Sequence, residues 1–201
     1  ARGAAPDLRD PAGRTALLQA ASSGNAAIVR KLLAKGADPN TASLSGETAL
    51  QQAARRGEYD TVVLLLGAGA KTETTDRDGS TALMRATATG QNEIVAKLLG
   101  VGANPNAVNS AGQTALHLAA RGGHVRAVQL LIEAKADPLL RDSKGRTALM
   151  EAYDRDQVRV FALIDRASAE AWAKLARADG DDGDNAAPQK LRDDLALIEA
   201  S

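Results

Sequence analysis

Apolar residues recur along this chain at the period of a helix, in short blocks interrupted at regular intervals. Gly112 to Lys144 shows the pattern. Thr114 stands at a helix start as a hydroxyl cap, and Leu116, Ala119 and Ala120 follow at helical spacing. Gly122-Gly123 breaks that short helix, and Val125, Val128, Leu131 and Ile132 then form a second apolar face. Pro138 and the polar run Arg141–Lys144 end the unit. Neither helix is long enough to stand alone in water, so the unit must stack on something.

The chain supplies copies of the unit. Gly13, Gly46, Gly79, Gly112 and Gly145 lie 33 residues apart, and each is followed two residues later by Thr and then by Ala-Leu. Five in-phase copies at one period predict an all-α solenoid of helix-turn-helix units joined by hairpin-like fingers. The repeated residues G-x-T-A-L-x-x-A, the inter-helix Gly (Gly24, Gly57, Gly90, Gly123), the Leu-Leu pairs (Leu32-Leu33, Leu65-Leu66, Leu98-Leu99) and Gly36–Asn40 resemble the ankyrin-repeat family over about residues 2 to 166. The chain departs from the family at Ala16 and its equivalents, where the family usually has Pro; the first helical turn accepts either residue.

The period divides the chain into units at 13–45, 46–78, 79–111, 112–144 and 145–166. Residues 1–12 read as the finger of a truncated upstream repeat or as an N-terminal cap, because Gly3-Ala4-Ala5-Pro6 matches Gly36-Ala37-Asp38-Pro39. The fifth unit changes character: Asp156 replaces the inter-helix Gly, Tyr153 a small residue, and Asp165 the second Leu of the pair. Tyr153, Phe161 and Trp172 cluster there and are expected to seal the end of the stack. Residues 167–178 are expected to form a separate capping helix with Ser168 as its N-cap. An acidic linker at 179–188 and a C-terminal amphipathic helix or tail at 189–201, with Leu191, Leu195 and Ile198 on one stripe, complete the chain. Lys135 takes the C-cap position that Gly36, Gly69 and Gly102 hold elsewhere, and is expected to be left-handed or to end the helix differently.

Charge and composition narrow the function. The formal net charge is zero, which argues against a dedicated nucleic-acid or membrane binder. There is no cysteine, hence no disulfide and no thiolate metal site. No apolar run is long enough to span a bilayer. A cytoplasmic protein is expected, with the periplasm or secretion compatible, and the Ala/Arg-heavy composition suggests a bacterial one. Val62–Thr72 has the flavour of a phosphate loop, but Leu65 and Ala70 stand where that motif needs glycine. The acidic stretch after Asp179 lacks calcium-loop spacing, since Lys190 takes the place of the bidentate Glu. His117 and His124, the two histidines, stand where the resemblance implies a structural hydrogen bond. No catalytic constellation, cofactor site or metal site is predicted.

What remains is surface. The resemblance implies that a protein partner meets the fingers and the exposed side of the first helices. The matching residues include Arg14, Gln19, Leu44, Glu47, Gln52, Arg55, Arg56, Arg77, Arg85, Gln113, Arg121, Arg146 and Arg155, with Met84 beside the arginines. Arg55, Arg56, Arg85 and Arg121 are expected to form one basic patch, balanced by acid elsewhere and suited to an acidic partner. The expected function is a non-enzymatic, monomeric interaction module, acting as an inhibitor or immunity-type partner or as a scaffold. The alternative is the regulatory domain of a larger enzyme or secreted effector.

Overall fold

The computed structural model describes residues 7–178. Among them the chain forms ten helices in five pairs and no strand: α1 (Ala16–Ser22) with α2 (Ala26–Ala34), α3 (Ala49–Arg56) with α4 (Tyr59–Gly67), α5 (Ala82–Ala88) with α6 (Asn92–Gly100), α7 (Ala115–Gly122) with α8 (Val125–Glu133), and α9 (Ala148–Tyr153) with α10 (Val158–Ala178). First helices stack on first helices, and second helices on second helices. The all-α solenoid expected from the period is the fold observed.

Each first helix starts as its sequence requires. Thr15, Thr48, Thr81, Thr114 and Thr147 are extended, and each hydroxyl accepts from the backbone N–H three residues on. The core is a ladder of equivalent positions: Leu17, Leu50, Leu83, Leu116 and Leu149 from the first helices, and Val29, Val62, Val95 and Val128 from the second. Ala21, Ala54, Thr87 and Ala120 are wholly buried between successive first helices, where only a small side chain fits.

Two rows of hydrogen bonds and one row of side-chain contacts join one unit to the next. At the fingertips Leu44, Arg77, Ser110 and Ser143 each donate a backbone N–H to the previous finger, at 2.9–3.1 Å. Deeper in the finger, the side chains of Asp7, Asn40, Glu73 and Asn106 each accept the backbone N–H of the residue 31 positions ahead. The third row explains the inter-helix glycines. A Cβ on Gly90 would lie 2.8 Å from Nδ1 of His124, and Glu58, Gln91 and Gln157 fill the same space over Gly24, Gly57 and Gly123. These glycines also have positive φ, so both the backbone and the neighbour exclude a side chain.

The fifth pair departs from the others. Asp156 keeps the left-handed backbone of the glycine it replaces, with φ 53, and lies exposed at the end of the stack. The rings of Tyr153 and Phe161 stand 6.3 Å apart, yet Tyr153 is 45 % exposed and covers the end incompletely. The separate capping helix is not present: α10 runs unbroken from Val158 to Ala178, and Ser168 lies inside it. Its hydroxyl donates to the Ile164 carbonyl at 2.8 Å and does not cap a helix start. The reason is one of register. Ser168 stands where Gly36, Gly69 and Gly102 end the earlier helices, and without a left-handed residue there the helix continues through good helix formers. The backbone of Trp172 belongs to α10, while its side chain and the expected linker and tail at 179–201 lie outside the described residues.

Candidate binding face

Fingertips and first helices line one common groove. Its central part, about 410 Å³, is bounded by Arg77, Asp78 and Ser80 of one finger, Asn109, Ser110 and Ala111 of the next, and side chains of α5 and α7. The fingers are shaped by a repeated carboxylate or amide. Oδ1 of Asp10, Asp76, Asn109 and Asp142 each accepts two backbone N–H groups, from the residues two and four positions on. For Asp142 burial works against the charge, but the N–H groups of Arg146 and Lys144 prevail and hold the carboxyl below its usual range. At the half-buried Asp10 the N–H of Arg14 is the main cause of the same displacement.

The predicted site residues separate into three groups. Met84, Gln52 and Gln113 are not surface contacts. Met84 is 1 % exposed and belongs to the core. Gln52 is buried, giving its amide N–H to Glu47 at 2.6 Å and accepting from Arg55 at 2.8 Å. Gln113 is buried at the finger base, its main chain held by Asn109.

The second group is basic but already partnered. Arg14 pairs with Asp10 at 2.8 Å, beside the exposed Gln19. Arg55 reaches Glu47 at 4.0 Å. Arg85 donates from Nε to Asp76 at 2.8 Å, bonds it again through Nη2, and reaches Asp78 at 3.0 Å. Burial works against the Arg85 cation, yet its bonds to Asp76 and Asp78 outweigh that and hold its pKa above the usual value. Arg121 makes two 3.2 Å bonds to Glu151, the main cause of its raised pKa. Arg146 joins Asp154 at 2.7 Å and lies 3.6 Å from Glu151. The expectation of a basic patch balanced by distant acid is therefore corrected. The balancing carboxylates sit on the same face, and the face carries a row of neutralised clusters.

The third group is Arg56, Arg77 and Arg155, which are exposed and carry no ion pair among the described residues. Sequence reasoning missed Asp76, Asp78 and Glu151 as members of this face. A register comparison contains the signal, because Asp76 precedes Arg85 by the nine residues that separate Asp10 from Gln19 and Asp142 from Glu151.

Both histidines hold structural bonds. His117 bridges Thr114 and the Arg146 carbonyl, and His124 reaches the Ala88 carbonyl at 3.3 Å. Among the described residues no cluster of His, Asp and Glu could hold a metal ion, and no helix is long and apolar enough to cross a membrane.

A family model described as ankyrin repeats (3 copies) matches residues 2–76 and 83–172. No curated protein matches the chain.

Proposed function

The chain belongs to the ankyrin-repeat family, whose repeats are protein-interaction modules, and on that premise we propose that it binds a protein partner across its fingers and first helices without catalysing a reaction. The observation that carries the reading is the open groove between the fingers and α5 and α7, ringed by charged side chains on a neutral protein. Such a face selects a partner by matching alternating charge, and Arg77, which lines the groove, and the exposed Arg56 offer carboxylate recognition without an ion pair of their own among the described residues. The partner is a protein with acidic side chains placed against those two cations. The chain acts as a monomeric inhibitor or immunity-type partner, or as a scaffold, in the cytoplasm. Nucleic acid and membrane are not its ligands.

The test is a binding isotherm with a captured partner at two salt concentrations. Reversing Arg56 and Arg77 to Glu should weaken binding and its salt dependence. Reversing Arg30, Glu93 and Arg126 on the second helices should leave both intact. Equal losses from the two sets would place the interface elsewhere.

A further inference from the structure

Polar or charged side chains hold most of the first-helix, fingertip and helix-end positions along the groove, but at one place three apolar residues come together. The first-helix position held by Gln19, Gln52, Arg85 and Glu151 is Leu118 in the fourth unit. The fingertip position held by Asp78 and Lys144 is Ala111, between them. The helix-end position held by Arg55 and Arg121 is Ala88, again between them. Leu118, Ala111 and Ala88 come from three different elements, yet they line the same open groove, with Met84 beneath. Leu118 is half-buried against the core, and Ala111 and Ala88 are exposed. The result is an apolar notch flanked by the Arg85–Asp76–Asp78 cluster on one side and the Arg121–Glu151 cluster on the other. Asp78 is committed to Arg85, so the rim cation left to receive a new anion is Arg77.

We propose that this notch seats one apolar side chain of the protein partner, presented beside a carboxylate that pairs with Arg77. The proposal rests on the reading of the finger and first-helix face as the interface, and it names the anchor. Interfaces gain most of their energy from a few side chains in desolvated pockets surrounded by groups that exclude water. Here the flanking ion-pair clusters form that surround. A charge-neutral ring gives weak overall attraction, so the anchor and the single Arg77 pair set the specificity.

The experiment selects a displayed library of random loop peptides on the full chain. Enriched peptides are expected to share a Leu, Ile, Met or Phe with an Asp or Glu within three residues of it. Ala111→Glu fills the notch from an exposed position and should lower affinity about tenfold or more, the loss typical of one buried anchor. Its melting curve should match that of the parent, because only the Ala111 main chain bonds its neighbours. Arg77→Glu should weaken binding and flatten its salt dependence. Peptides without the apolar–acidic pair, or indifferent to Ala111→Glu, overturn the notch, as does failure to enrich any peptide. Binding lost to Arg56→Glu but kept in Ala111→Glu removes the notch and leaves the face. Binding lost only to Glu93→Lys or Arg126→Glu removes both.

Discussion

His117 and Gln51 occupy the same position two units apart and make the same two bonds. Gln51 accepts the Thr48 N–H at 2.8 Å and donates to the Ser80 carbonyl at 2.7 Å. His117 accepts the Thr114 N–H at Nδ1, 3.3 Å away, and faces the Arg146 carbonyl through Nε2 at 3.0 Å. Each side chain thereby closes its own helix cap and ties that helix to the next finger. Only a neutral imidazole with its proton on Nε2 satisfies both partners of His117. Burial, the largest influence, likewise disfavours the cation, so the ring's pKa lies below its ordinary value.

This equivalence makes stability depend on pH in a defined direction. The unfolded chain takes up the His117 proton first, as pH falls through about 6.5. The stability contributed by the neutral ring is full above that pH and is lost as pH falls toward the depressed folded value. Asp10 and Asp142 act in the same direction only at much lower pH, below the unfolded value of about 3.9. His117→Gln should keep the two bonds, as Gln51 does, and flatten the slope between about pH 7 and 5. Urea midpoints across that range provide the measurement. An unchanged slope would exclude His117 as its source.

Lys135 has φ 65, in the left-handed region that Gly36, Gly69 and Gly102 occupy at equivalent positions. Its side chain is exposed, and its carbonyl accepts weakly from Asn106 at 3.4 Å, a main-chain contact that substitution leaves in place. Lys135→Gly should therefore stabilise the protein by about 1 kcal/mol and raise the melting temperature by about 2–4 °C. A neutral result would mean that the Lys stem makes compensating contacts on the surface.

The period, the caps and the left-handed positions were legible because each is a local requirement repeated five times. The failures came where a residue's fate is decided by a neighbour in space. Proximity to Arg85 in the sequence suggests a surface position for Met84, although it shares a register with Gln51 and His117, the position that reaches beneath the next finger. Ser168 resembles a cap in isolation, whereas alignment with Gly36 shows a missing helix stop. The acids paired to Arg85 and Arg121 come from a finger and from the next helix, so helical periodicity alone could not find them.

Gly112 and Gly145 hold equivalent positions with nearly the same φ, 71 and 75, but different surroundings. A Cβ on Gly112 would stand 2.7 Å from the Ser143 backbone nitrogen, whereas one on Gly145 would meet nothing within 4 Å. Gly145→Ala should cost only the left-handed strain, about 1 kcal/mol. Gly112→Ala must also push the next finger away and break the Ser143 to Ala111 bond, for a total of about 2–3 kcal/mol. Equal losses in chemical denaturation would show that the fingers shift apart without resistance.

Arg85 and Arg56 were expected to serve one binding patch, but their surroundings assign them different work. The Asp76 side chain is 3 % exposed, and its Oδ1 is taken by the N–H groups of Asp78 and Ser80. Its Oδ2 faces Arg85 alone. Removing the guanidinium leaves a buried carboxylate oxygen unpaired, so Arg85→Ala should destabilise the fold by about 1–3 kcal/mol. Arg56 is exposed and has no ion pair among the described residues, so Arg56→Ala should change stability by less than about 0.5 kcal/mol. A binding defect in an Arg85 variant is therefore ambiguous, since the finger that carries Asp76 and Asp78 would loosen as well. The equivalent defect in Arg56 or Arg77 reports contact with the partner. Chemical denaturation of Arg85→Ala beside Arg56→Ala decides the matter. If both are neutral, Arg85 is a spare surface cation after all and belongs with Arg56 and Arg77 in the interface.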